Sequence, residues 1–386
     1  MSSKGNRETE AFELIEGHYL VGNQGIYKVQ EFLGEGAFGK VAKCSKLGSQ
    51  EMYAIKIITH VEEGMEEFES MKLIKALDPD ENHLIKMYEC FSFQNMICLV
   101  FEILEESLED FLNKNKCKAT PLTYVRAIAQ QMFQALQALK SIGVVHCDIK
   151  LDNIMFADKQ SLKFKLIDFG LALETEELST DTDVKIDIQV NPFRAPEVIL
   201  GLPLDESVDM WALGMVLACV YRGNYIFPPK SEYETIRAMV LCTPEEYTEA
   251  TGEKVRNKNH VINFDAMIDQ HRDTYEMHDV VDHKAFFDLL KRILEVNPQR
   301  RITPSQHLSE KRCYQDEVVV AHTQLGRKKK LKKTSPGAGL ARAGLRRRPS
   351  VKPGLKSGLL PVPFSTSVPV PSPVALRRLR QKGHPA

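Results

Sequence analysis

The run His146-Cys147-Asp148-Ile149-Lys150-Leu151-Asp152-Asn153 is followed by Asp168-Phe169-Gly170. Two aspartates and an asparagine in this order suit a phosphoryl-transfer site. Such a site needs a carboxylate to orient the accepting hydroxyl and oxygen ligands for magnesium, and asks for little covalent chemistry from the protein. Asp148 fits the first role, and Asn153 with Asp168 the second. Lys150, two residues after Asp148, is placed to neutralise charge on the transferring group. His146 ends an apolar run from Ile142 and reads as a structural histidine. An isolated aspartate in a turn is about as often turn-forming as functional. That bland reading fits the three residues together poorly.

A second constellation lies upstream. Gly34-Glu35-Gly36-Ala37-Phe38-Gly39-Lys40-Val41 lets the backbone approach a phosphate closely, because glycine tolerates both the turn and the contact. The pattern alone is weak. A dinucleotide-binding reading would need a helix after the glycines, where this chain continues as a strand. Lys56, in Tyr53-Ala54-Ile55-Lys56, follows at a spacing that puts an ammonium under the loop. A carboxylate must fix the lysine's rotamer. Glu69 is the choice, with Glu66 and Glu67 on the same acidic stretch as alternatives and a solvated charged face as the reading for the others.

The elements that would carry these residues divide at about residue 103. Residues 27–60 read as strand, glycine turn, strand, strand, and the apolar runs 84–93 and 97–101 add two more, making a five-stranded sheet. Phe68, Met71, Ile74 and Leu77 predict one helix over 66–77. Beyond residue 103 the period becomes helical, with Val125, Ile128, Met132, Leu136 and Leu139 on one face of a helix ending near Gly143. Residues 209–220 are apolar almost all round, as a helix buried inside a large domain would be. Residues 243–282 read as an insert of short helices and loops, and 285–296 as an amphipathic helix. After about Gly326 the chain is rich in Lys, Arg, Pro, Gly and Ser and reads as disordered.

Of 386 residues, 43% are hydrophobic, enough for a substantial core. The apolar runs are far shorter than the roughly 20 residues a membrane span requires, and Met1 to Glu10 has no signal-peptide core. The eight cysteines show no zinc or thioredoxin spacing, which favours reduced thiols in the cytosol or nucleus. The net charge of −1 hides a division: of 51 Lys and Arg, 16 lie from Arg327 onward with no Asp or Glu, leaving 35 basic against 52 acidic residues before it. The chain is an acidic body with a basic tail.

With these residues assembled, the chain resembles a eukaryotic protein kinase from about Tyr27 to Leu308. The resemblance is carried by Gly34 to Val41, Lys56, Asp148 with Asn153, Asp168-Phe169-Gly170, Ala195-Pro196-Glu197, Asp209-Met210-Trp211 and Arg301. The finer likeness is to the homeodomain-interacting protein kinases. It rests on Cys98 to Leu104, on Phe193 to Pro203, and on Ser231-Glu232-Tyr233-Glu234-Thr235-Ile236-Arg237.

The resemblance implies an α+β, bilobal fold: a small β-rich N-lobe with one helix over 27–103 and a larger helical C-lobe over 104–310. Residues 1–26 would be an extension and 311–386 a basic tail. It implies ATP and Mg2+ as cofactors. Leu33, Gly34, Gly36, Gly39, Val41 and Ala54 would surround the nucleotide, with Phe101 as gatekeeper and Glu102 to Leu104 as the adenine-binding hinge. Glu197 would pair with Arg301, and Asp209 would cap the catalytic loop. Protein substrates follow, with transcription regulators among the partners, Ser/Thr hydroxyls as acceptors, and a nuclear or cytoplasmic location with no membrane association.

The departures from the family pattern are specific. Cys147 replaces the arginine that usually precedes the catalytic aspartate, so no arginine is available there to grip a phosphorylated loop. The branch's autophosphorylated tyrosine is Asp187, and Val190-Asn191-Pro192 replaces Ser-Arg-Tyr. Glu174, Glu176, Glu177, Asp181, Asp183 and Asp187 would then stand in partly for the phosphate, imperfectly, because a carboxylate has less charge and fewer acceptors. Asn191 in place of arginine also weakens the expectation of proline after the phosphorylated residue. An altered substrate segment keeps a second reading open, a pseudokinase acting as a binding scaffold. In the tail, Arg327 to Lys333 reads as an import-receptor or nucleic-acid contact against a merely solvated tail, and Arg347-Arg348-Pro349-Ser350 as a site for a basophilic kinase.

Overall fold

An antiparallel sheet of six strands dominates the first part of the chain. The computed structural model describes residues 14–36, 39–179, 188–226, 235–236 and 280–309, and all of these but Ser309 belong to one unit. The positions of Asp181, Asp183 and Asp187, most of the 243–282 stretch, and the basic tail lie outside the described residues.

The strands are β1 (Tyr19–Val21), β2 (Ile26–Gly36), β3 (Gly39–Lys46), β4 (Met52–Ile58), β5 (Met87–Phe93) and β6 (Met96–Glu102), in the order β1-β2-β3-β4-β6-β5. The sheet therefore has one strand more than the five expected. The extra strand, β1, comes from the stretch read as an N-terminal extension and pairs Leu20 with Tyr27. Leu14 and Leu20 are buried in the same apolar cluster as Tyr27, Ile55 and Val100. Three residues are too short to show a period in sequence, which is why the strand is not legible there.

Cross-strand register sorts the sheet's two faces. Val41 pairs with Lys56, Lys56 with Leu99, and Ala54 with Phe101. Directly opposed residues share a face and alternate residues along a strand return to it, so Val41, Ala54, Lys56 and Phe101 stand on one side. The alternate residues Ala42, Cys44, Ile55, Ile57, Cys98 and Val100 form an apolar cluster on the other.

Helix α1 (Val61–Leu73) follows β4 and begins five residues earlier than the expected helix over 66–77. Its buried residues are Gly64, Glu67 and Met71, spaced by three and four. Gly64 is the point of closest approach: a Cβ there would stand 2.5 Å from Cβ of Ile97 on β6.

The described residues beyond the sheet are largely helical, which gives the α+β arrangement of a β-rich first part and a helical second part. Helix α2 (Leu108–Lys114) starts at Ser107, whose hydroxyl accepts the N–H of Asp110 at 3.0 Å, with Glu109 and Asp110 favouring the positive end of the helix. Helix α3 (Leu122–Ser141) buries Val125, Ile128, Met132, Phe133, Leu136 and Leu139. Strands β7 (Val144–Val145), β8 (Ile154–Asp158), β9 (Lys163–Leu166) and β10 (Leu173–Glu174) form two small pairs, β7 with β10 and β8 with β9. The short helices α4 (Thr175–Ser179) and α5 (Pro196–Ile199) precede α6 (Ser207–Arg222), which is buried from Val208 to Tyr221. Helix α7 (Val280–Ile293) packs against α6: a Cβ on Gly214 would meet Ile293 at 2.6 Å. No helix among the described residues is long and apolar enough to cross a membrane.

Candidate active site

Lys56 lies on β4 with its side chain 18% exposed, and its Nζ is 2.7 Å from Glu67 on α1 and 3.2 Å from Oδ1 of Asp168. The carboxylate beside Lys56 is therefore Glu67 and not Glu69. Glu69 is exposed and pairs with Lys72 at 2.6 Å one turn along the helix. The reason is helical geometry. Gly64 lets α1 touch β6, so the residue one turn later faces the sheet, while a residue two positions further points to solvent. The spacing of Gly64, Glu67 and Met71 is the available signal; the helix read from Phe68, Met71, Ile74 and Leu77 starts five residues late and leaves Gly64 out of the register.

Burial works against a charge on Lys56, but the Asp168 and Glu67 carboxylates more than offset it and hold the ammonium above its ordinary range. The recessed position of Asp168 likewise opposes ionisation. Lys56 and Lys150 overcome this and hold its carboxyl below the usual range.

The second group of residues is gathered by the loop after β7. Lys150 donates to Oδ2 of Asp148 at 2.8 Å, and Nδ2 of Asn153 donates to the Asp148 carbonyl at 2.8 Å and to its Oδ2 at 3.0 Å. Burial raises the Asp148 carboxyl to about 6, and the Lys150 charge limits the rise. His146 is fully buried, and burial keeps its imidazole neutral. Its Nδ1 lies 3.2 Å from the Asp148 N–H, which can only donate, and its Nε2 lies 3.0 Å from the Ile167 carbonyl, which can only accept. The proton therefore sits on Nε2. His146 ties Asp148 to the strand that leads into Asp168, and its ring packs edge-on against Phe169 at 4.8 Å. Cys147 and Asp168 both take left-handed backbone, at φ 67° and 61°.

Of the residues expected around a nucleotide, Val41, Ala54 and Phe101 stand on the sheet face that carries Lys56. Gly34 and Gly36 have nothing within 4 Å of where a Cβ would stand, so their backbone is bare and open to a phosphate. Gly39 is required for a different reason: at φ 146° a Cβ would sit 2.0 Å from the Ile57 carbonyl oxygen. Gly34 pairs with Val41 across the turn. Leu33 is half exposed beside them. Glu102 turns its carboxylate away to the Lys86 N–H at 2.8 Å and to Lys165 at 2.6 Å, so that only its backbone is presented at the hinge before Leu104. Lys165, 5% exposed and also 2.7 Å from Asp80, went unrecognised in the sequence because a single lysine in Lys163-Phe164-Lys165-Leu166 carries no distinguishing signal.

Asp168 and the Oδ1 of Asn153 supply hard oxygen donors, the type Mg2+ takes. Two protein ligands suit that ion, which keeps several waters and binds substrate phosphates. Among the described residues no cluster of three or more His, Cys, Asp or Glu forms a cage for a metal. Two oxygen donors of this kind would suit magnesium bound together with a nucleotide.

Two buried contacts brace the site from below. Asp209 accepts the N–H groups of His146 at 2.7 Å and of Cys147 at 2.9 Å. Arg301, fully shielded, forms a fork with Glu197 whose Nη2 to Oε2 distance is 2.9 Å, and stacks over Trp211 at 5.2 Å. The described cysteines, Cys44, Cys90, Cys98, Cys117, Cys147 and Cys219, are all free thiols.

Comparison with known proteins agrees with this geometry. Homeodomain-interacting protein kinase 1 of Mus musculus is 35% identical over 345 residues, covering 77% of this chain and 28% of that protein. The Caenorhabditis elegans protein of the same name is 34% identical over 357 residues, covering 78% and 42%. Serine/threonine-protein kinase ppk15 of Schizosaccharomyces pombe is 31% identical over 329 residues, covering 72% and 60%. The chain thus spans less than two thirds of the length of each of these relatives. The protein kinase domain family matches residues 27–312, most of the chain, and the protein belongs to that family.

Proposed function

We propose that the protein transfers the γ-phosphoryl group of Mg-ATP to serine or threonine hydroxyls of other proteins. The observation that carries this reading is the convergence of two complete groups on one site, Lys56 with Glu67 and Asp168, and Asp148 with Lys150 and Asn153. Lys56, fixed by Glu67, holds nucleotide phosphates. Asp148 accepts the hydrogen bond of the incoming hydroxyl and directs its oxygen. Lys150 meets the charge that develops on the transferring group. Asp168 and Asn153 would hold magnesium, which bridges phosphate oxygens and neutralises their charge when bound. Because these contacts are complete, turnover is favoured over a scaffold without it.

The acceptor's neighbour is constrained as well. Gln189 lies on the segment between the catalytic loop and Ala195-Pro196-Glu197, and its carbonyl accepts two hydrogen bonds from Arg194, at 3.1 and 2.7 Å. A peptide residue passing there with a free N–H finds that acceptor taken. Proline, which has no N–H, loses nothing. Arg194 supports proline after the acceptor even though Asn191 stands where the family has arginine.

The names of the relatives make homeodomain proteins the first partner class to examine, and the basic stretch from Arg327 to Lys333 makes nuclear import the first location. Incubation with γ-labelled ATP and a generic protein substrate, followed by phosphoamino-acid analysis, tests the proposal. Label on serine or threonine supports it, and no transfer to any acceptor favours the scaffold.

A further inference from the structure

Gln189 closes a ring of hydrogen bonds that joins three parts of the molecule. Its N–H donates to the Cys147 carbonyl at 3.1 Å. Its side-chain Nε2 donates to the Val208 carbonyl at 2.8 Å, and its Oε1 accepts the Ala195 N–H at 2.9 Å. Val208 precedes Asp209, whose carboxylate holds the N–H of Cys147 at 2.9 Å. The circuit runs from the start of α6 to the catalytic loop, on to the segment 188–195, and back to α6. With its carbonyl occupied by Arg194, every polar group of Gln189 has a partner, and the residue is 1% exposed.

Its backbone shows how firmly it is held. Gln189 sits at φ 63°, a region that is unfavourable for a non-glycine residue and persists only where the surroundings over-determine it. Apart from the Asp209 carboxylate and the Arg194 guanidinium, the members of the circuit are amides and carbonyls, and the three bonds from Gln189 to Cys147, Val208 and Ala195 are neutral. A phosphate-gated version of this junction would carry a guanidinium on the catalytic loop at residue 147. That residue is instead a buried thiol, whose Sγ meets the Val145 carbonyl at 3.6 Å and the backbone of Leu173.

We propose that Gln189 is a positioning residue which docks the activation segment on the catalytic loop through neutral hydrogen bonds, so that Asp148, next to Cys147, is in place without phosphorylation of the segment. The proposal rests on the kinase reading above. Gln189 acts through Cys147 and Asp209 and does not touch the reacting groups.

The test uses the full chain, treated with a broad-specificity phosphatase, checked by mass spectrometry for loss of phosphate, and assayed over its first turnovers. Alongside it are Gln189→Met, which keeps the side-chain length but removes both amide bonds, and Gln189→Glu, which keeps only the acceptor for Ala195. The dephosphorylated wild type should retain most of its kcat. Gln189→Met should lose about 100-fold in kcat, the scale set by a displacement of about 1 Å at a reacting group. Its KM for ATP and its affinity for a fluorescent nucleotide should stay within about twofold, because the Lys56 side of the site is untouched. Gln189→Glu should fall between. A dephosphorylated wild type that is inactive until rephosphorylated overturns the proposal, as does wild-type turnover by Gln189→Met. If Gln189→Met no longer binds nucleotide, the result on the dephosphorylated wild type decides alone. No transfer by the untreated wild type would instead be a failure of the kinase reading.

Discussion

Lys56 on β4 and Glu67 on α1 meet at 2.7 Å, and the same ammonium reaches Asp168 at 3.2 Å on the far side of the cleft. One cation thereby ties the position of a helix to that of Asp168, the proposed magnesium ligand. The pairing depends on Gly64, which brings α1 against Ile97 on β6 and so turns Glu67 inward.

Glu67→Gln should reduce kcat/KM for ATP about 100-fold, since Lys56 loses the partner that orients it. Glu69→Gln should leave it unchanged, because Glu69 pairs only with Lys72 at the surface. Steady-state kinetics of the two variants side by side checks the register directly. The reverse ranking would restore Glu69 as the lysine's partner.

Asp148 gives the activity an acid limb. Its carboxyl is raised from 3.8 to about 6, chiefly by burial, and it must be ionised to accept the substrate's proton. As pH falls through about 6 the folded protein takes up that proton, and kcat/KM should drop about tenfold per further pH unit, after correction for titration of ATP itself. Full activity lies above that window. A profile flat down to pH 5 would contradict the assignment.

Arg301 and Glu197 are a stability pair. With both side chains shielded from water, Arg301→Met leaves the Glu197 carboxylate buried without its partner, and unfolding in urea should show a loss of about 3–5 kcal/mol. Arg301→Lys should recover only part of this, because an ammonium cannot reproduce the two-pronged fork or the stacking on Trp211.

On the proposed reading, Arg194 sets the preference at the residue after the acceptor by occupying the Gln189 carbonyl. Paired peptides that differ only as Ser-Pro and Ser-Ala should show higher kcat/KM for Ser-Pro in the wild type. Arg194→Met should shrink the difference by freeing the Gln189 carbonyl. Equal rates on both peptides with the wild type would remove proline from the account.

The residues proposed for catalysis are legible as a group because they are local in sequence: Asp148, Lys150 and Asn153 lie within one short loop, and Asp168 is flagged by Phe169 and Gly170. The α1 register was harder to read, since Glu66, Glu67 and Glu69 are chemically alike and only the contact at Gly64 selects among them. Lys165 and the hydrogen bonds of Gln189 were invisible for a related reason. Their partners, Glu102 and Asp80 for one and Val208 and Ala195 for the other, are set by tertiary structure. Strand β1 was missed because three residues carry no periodicity. The fold class was readable from the change of period near residue 103, where alternating strands give way to helices.

The central claim is that Asp168, with Asn153, holds the metal for a real phosphoryl transfer. It is tested most directly by measuring transfer from γ-labelled ATP to protein by the wild type and Asp168→Asn under identical conditions, with nucleotide binding measured on both. The account predicts incorporation by the wild type that is lost on chelation of magnesium, and incorporation near background by Asp168→Asn while the variant remains folded. Equal incorporation by the two proteins would contradict it.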